Sequence, residues 1–179
     1  MLLIHVSKHT PRVSYVFKQI CKRNLGLEVD LTTTIEPFIA HDGAKFSYGK
    51  QPLGKELYFQ SVDLLFEHGL NDLEIQVKDW GETKCFFEVT HVNAALPFDI
   101  FAASFYLLTR YEEYLPHVKD DMGRFPATES LAYTHDFLED PVVDIWVSKF
   151  KKVLLDKYPD LEFPSKNTFI APVISVSQT

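Results

Sequence analysis

Arg110, Glu112 and Glu113, with Asp120, Asp121 and Arg124 a short way on, form the densest polar cluster that adjoins an apolar run of the chain. Two chemistries suit it. As a pocket, the guanidinium groups would hold an anionic or hydroxyl-rich ligand while one carboxylate acts as acid or base. As a clamp, Arg110 and Arg124 would pair with the carboxylates and fasten the 115–140 stretch to the end of the helix before it. Nothing in the cluster has metal-ligand spacing, and ion pairs of this kind are common, so the clamp is the expected reading. It makes a specific demand. Arg110 ends an almost wholly apolar segment, so it should be at least half buried and held by Glu112, Glu113, Asp121 or Asp144.

Other chemistry is thinly represented. The histidines at 5, 9, 41, 68, 91, 117 and 135 are scattered, with no pair at helical i, i+4 spacing. His41-Asp42 alone has a weak metal-binding look. There is no Gly-x-Ser-x-Gly elbow, phosphate-cradling glycine loop or dinucleotide fingerprint. Asp63 with Gln76-Val77-Lys78 can be read as the carboxylate and lysine of a restriction-nuclease-like site, since the order of elements is similar. Gln76 stands where such a site wants Glu, and a net charge of −7 opposes contact with phosphate backbones. The expectation is therefore no catalytic residue, no metal and no cofactor. A hydrolase using the 110–124 cluster or the Asp63/Lys78 pair is the alternative.

These residues need elements to hold them. Leu2–Val6 reads as a buried strand, Thr10-Pro11 as a cap and first-turn proline, and Val13, Val16, Phe17, Ile20 and Cys21 as the inner face of a helix ending at Gly26. Leu27, Val29 and Leu31 then alternate with polar residues in a half-buried strand. Lys45–Tyr48, Glu56–Phe59, Leu73–Val77 and Cys85–Val89 predict further short strands, bounded by glycine and proline clusters and joined by hairpins. Asp99 caps a helix reaching about Tyr114, apolar nearly all round. Asp140-Pro141 starts another, in which Val142, Val143, Trp146, Phe150, Val153 and Leu154 share a face. The predicted class is α+β: a mixed sheet opened by a β-α-β unit, strand-rich in the middle, and covered by two later helices at about 97–114 and 141–157. Residues 169–179 look like one more strand. Phe46, Phe105, Trp146 and Phe150 fit buried faces, whereas Trp80 and Tyr133 sit in loops as exposed contacts.

With 46% hydrophobic residues, including 15 Phe, the 179-residue chain can bury a substantial core, most simply as one domain. The acidic balance disfavours nucleic acid as a partner. Cys21 and Cys85 lack any paired spacing and should be reduced and buried. The apolar start is too short for a signal-peptide core and no later stretch is long enough to span a bilayer, so no membrane contact and a cytoplasmic location are expected.

The run Leu96-Pro97-Phe98-Asp99-Ile100-Phe101 through Thr109-Arg110-Tyr111-Glu112-Glu113-Tyr114 resembles the amino-terminal accessory domain that precedes the catalytic domain in certain bacterial polysaccharide deacetylase-like proteins. Phe46-Ser47-Tyr48-Gly49, Asp121-Met122-Gly123-Arg124-Phe125-Pro126-Ala127 and Pro141-Val142-Val143-Asp144-Ile145-Trp146 resemble its other landmarks. The likeness spans residues 1–170 as a single accessory-type domain. It implies that 171–179 is a truncated start of the deacetylase domain. There, Ile174-Ser175-Val176-Ser177 has serines where an Asp-x-Asp pair would serve catalysis and metal binding. What the resemblance implies is a non-catalytic accessory domain of glycan metabolism that binds a glycan-modifying enzyme or a saccharide. The cluster Arg110, Glu112, Glu113, Asp121 and Arg124 would then be a ligand site or a structural clamp.

Overall fold

The computed structural model describes residues 1–164 and 171–173; most of the expected last strand, with Ser175 and Ser177, lies outside them. Strand β1 (Leu2–Val6), apolar except at His5, lies at the inside of a sheet, buried on both faces. Strands β2 (Val29–Thr32) and β3 (Lys45–Gly49) flank it, and β4 (Leu57–Gln60) lies beyond β3, giving the all-parallel order β2-β1-β3-β4. Side chains alternate between the faces. Leu2, Ile4, Val6, Phe46, Tyr48 and Phe59 belong to the main core, while His5 meets Phe38 of helix α2 (Ile35–Ala40) at 5.6 Å between rings.

Helix α1 (Pro11–Phe17) starts as its sequence requires, with the Thr10 hydroxyl accepting from Val13 N and donating to Leu65 O. It continues as a π-helical segment, Lys18–Asn24, that keeps Ile20 and Cys21 inward and stops at Gly26, where φ is +73°. Helices α3 (Ile100–Leu108) and α5 (Val142–Lys157) complete the layer over the sheet. Phe101 of α3 is the centre of this core. Its ring lies 4.6 Å from Phe17, 5.9 Å from Phe46 and 5.4 Å from Phe150.

The fold is α+β, and parallel and antiparallel pairing fall in separate sheets. The antiparallel one is a ribbon of β5 (Lys78–Trp80) and β6 (Thr83–Cys85) turning at Gly81, φ +64°. No hairpin joins β3 to β4, contrary to expectation. Residues 50–56 instead return through a series of bends to the level of Phe46, which is within reach because seven residues can span roughly 23 Å and the strand length to recover is roughly 15 Å. Glu56 fixes that return: its Oε1 accepts from Leu53 N at 2.7 Å and from the Ser47 hydroxyl at 2.5 Å. Leu73–Val77 keeps its alternation and packs Leu73, Ile75 and Val77 on the core, but it pairs with no strand. The expected strand 85–89 gives only Cys85 to the ribbon and bends at Phe87, φ +63°.

Two carboxylate and ammonium groups tie elements together. Asp99 is 2% exposed and accepts four bonds: Phe101 N and Ala102 N on Oδ1, and the Tyr48 hydroxyl (2.7 Å) and Val62 N (2.8 Å) on Oδ2. The Lys45 ammonium donates to the carbonyls of Phe38, Ile39 and His41 and so closes the carboxyl end of α2.

Candidate functional site

Helix α3 ends at Leu108, six residues short of expectation, because Arg110 adopts the left-handed conformation (φ 53°, ψ 45°). That turn swings the chain outward before the 3₁₀ turn Tyr111–Tyr114. The charged cluster is thereby divided. Arg110 pairs with Glu113, yet its side chain is 71% exposed, so the expected burial is wrong: the backbone reversal points it at solvent. Arg124 pairs with Asp120 at 3.0 Å. Asp120 also accepts from Met122 N and Arg124 N, making a local loop closure about Gly123 (φ +75°) that does not reach the helix. Asp121 is exposed and has no ion-pair partner among the described residues. The two arginines therefore neither converge on a ligand nor bolt the 115–140 stretch to α3.

Glu112 is different. It turns inward, half-buried, and accepts from Leu131 N at 2.9 Å, at the start of the short helix α4 (Leu131–Thr134). Burial and the neighbouring Glu113 raise its pKa, against the Leu131 bond that lowers it. Glu112 lines a cleft of about 340 Å³ with Asp72, Tyr106, His117, Phe125, Glu129 and Thr134, over an apolar floor that includes Ile75 and Leu131. Among the described residues no Lys or Arg lines it. The His117 and Phe125 rings meet edge to face at 4.9 Å. Sequence reasoning missed Asp72, His117 and Glu129 as parts of this site. No local pattern marked them: Asp72 closes a turn cluster, and Leu73 and Ile75 line the cleft beside it.

The nuclease-like pair is not assembled. Asp63 is bridged to Lys50 at 2.7 Å and Lys78 to Glu88. Among the described residues no group of three or more His, Cys, Asp or Glu side chains could hold a metal ion, and His41 lies over Gly43 instead. His5 has its pKa lowered by burial, opposed by the Thr33 backbone and by Glu56. Both cysteines are free and buried. Trp80 is not an open contact: Lys149 covers its ring at 4.6 Å and Phe98 packs at 5.0 Å. Tyr133 is exposed as expected, but it stands in the short helix α4 and not in a loop. Among the described residues no helix is long and apolar enough to cross a membrane.

No curated protein and no solved structure matches the chain. The model of one family, described as a family of unknown function (DUF7033), matches residues 2–159, nearly all of the folded part, and the chain belongs to that family.

Proposed function

We propose that this chain is a non-catalytic accessory domain of glycan-modifying chemistry and that the Glu112 cleft is its saccharide site. The observation that carries this reading is the lining of the cleft: carboxylates that accept from sugar hydroxyls, beside aromatic edges and an apolar floor, without a nucleophile–base pair. The resemblance of 97–146 to the domain that accompanies deacetylases supplies the glycan. Calorimetric and NMR titration with chitin oligomers tests it. Binding should perturb residues 72–75 and 112–134, and Phe125→Ala and Glu112→Gln should each weaken it roughly tenfold, the loss of one good contact. No response at millimolar oligomer would refute the saccharide assignment.

One feature favours a second reading. A half-buried carboxyl with its pKa raised by burial and a like charge has the profile of a general acid, which a hydrolase at the same cleft would use. Release of reducing ends from the oligomers, lost in Glu112→Gln, would establish that reading; binding without turnover supports the accessory role.

A further inference from the structure

The chain's negative charge is concentrated in one place. Residues 112–144 hold nine carboxylates and two cations, Lys119 and Arg124, an excess equal to the −7 of the whole molecule, so the remainder of the chain is balanced. Within this region Asp136, Glu139, Asp140 and Asp144 are exposed and make no ion pair among the described residues. Asp136 and Asp140 lie within the field of Lys84, which Asp79 already holds at 2.6 Å.

The same corner exposes large apolar side chains. Helix α4 ends with Asp136 left-handed (φ 57°), Asp136 N bonded to Tyr133 O and Phe137 N bonded back to Ala132 O. This closure folds Phe137 into the core and turns Leu138 out, 51% exposed, beside Tyr133 at 54%. Two hollows adjoin and share Phe137, Leu138 and Asp140. One of about 230 Å³ has a mostly apolar wall that includes Pro141 and Val143, and one of about 550 Å³ is rimmed by Asp136 and Glu139. A purely solvated acidic face accounts for the carboxylates. It gives no reason for two exposed apolar side chains at the mouths of concave hollows.

We propose that the 133–144 corner is a docking surface for a protein partner that presents lysine or arginine beside an apolar side chain. The apolar side chain enters the hollow next to Leu138, where removal of water supplies the binding energy, and the cations face Asp136, Glu139 and Asp140, which set orientation and speed encounter. A nucleic acid is repelled by four unpaired carboxylates, and a neutral saccharide, although its hydroxyls can donate to them, brings no charge to match theirs. The corner is separate from the Glu112 cleft, and neither assignment depends on the other.

The test uses the whole chain and three short fluorescent peptides: one alternating Leu and Lys, one alternating Ser and Lys, and one alternating Leu and Glu. The Leu–Lys peptide should bind, shift amide resonances of 131–144, and weaken as salt is raised. Leu138→Ser, Tyr133→Ser and the combined D136N/E139Q/D140N should each weaken it roughly tenfold, as expected for loss of a central anchor or of its charge partners. All these positions are solvent-facing, so circular dichroism should show the fold unchanged. Glu112→Gln should leave this binding intact while weakening the saccharide. Equal affinity for the Ser–Lys peptide, shifts mapping outside the corner, or unchanged affinity in Leu138→Ser would each overturn the proposal.

Discussion

Asp99→Ala removes the most connected polar side chain in the fold. The change deletes a helix N-cap, costing about 1 kcal/mol, and leaves two donors, the buried Tyr48 hydroxyl and the part-buried Val62 N, without the acceptor that holds them at 2.7 and 2.8 Å. At about 1–2 kcal/mol for each stranded donor, the loss is about 3–5 kcal/mol, equivalent to a melting temperature lower by roughly 10 °C for a chain of this size. Asp99→Asn separates packing from charge. Burial pushes the Asp99 carboxyl up to about 6 from its ordinary 3.8, against the four donors that favour the ionised form. Of those donors only the Tyr48 hydroxyl can turn and accept from a protonated carboxyl. Because the folded-state value lies above the unfolded one, protonation favours the fold. Its contribution is complete below about pH 4 and is lost as pH rises through about 6, a swing of about 3 kcal/mol. Asparagine does not titrate, so urea denaturation should show Asp99→Asn further below wild type at about pH 4 than at about pH 7.5. A gap that stays constant with pH would show the carboxyl ionised throughout. An Asp99→Ala variant melting within about 3 °C of wild type would show that the four bonds do not hold these elements together.

Arg110→Gly should leave the melting temperature unchanged or raise it, because it relieves a left-handed non-glycine residue worth about 1 kcal/mol and loses only an exposed ion pair; a fall of more than about 2 kcal/mol in stability would mean the pair is structural. Lys45→Met should destabilise by about 2 kcal/mol and speed amide exchange in α2, since three carbonyls lose one ammonium; unchanged exchange would assign the closure of α2 to packing alone. Burial raises the Cys21 thiol far above its ordinary value, so a thiol reagent should reach it only after unfolding. Modification of Cys21 in the native chain at the rate of an open thiol would contradict its burial.

The fold was most readable where a short-range signal has one structural outcome. Thr10-Pro11 and Asp99 cap the helices they announce, and the face of Trp146, Phe150 and Leu154 is buried as its spacing requires. The positions of β1 to β4 were readable too, but those of β5 and β6 were not, and neither was the pairing of β3 with β4, because Gly49 to Gly54 suits a hairpin and a parallel return equally well. What decides between them is Glu56 reaching back to Ser47. Helix α2 was missed because Ile35-Glu36-Pro37 offers too few periodic positions, and its stability comes from Lys45, outside it in sequence. The charged cluster was found but its geometry was not. A left-handed arginine carries no glycine to mark it, and that one residue sends Arg110 outward and Glu112 inward. Asp72 joins Glu112 only through folding, across a separation no local pattern spans.

The short return between β3 and β4 bears on the order in which the sheet can assemble. Phe46 pairs with Leu57, eleven positions on, whereas Leu2 meets Val29 at twenty-seven and Leu3 meets Lys45 at forty-two. Closing the shortest loop costs the least chain entropy, so β3 and β4 are the pair that forms first and most locally. Strand β1, the first of the four to be synthesised and buried on both faces in the finished protein, gains its second neighbour last. Until Lys45 has been synthesised, Leu2, Leu3, Ile4 and Val6 remain an apolar strand with an open edge, and in a growing chain that is the segment most in need of shielding from its neighbours.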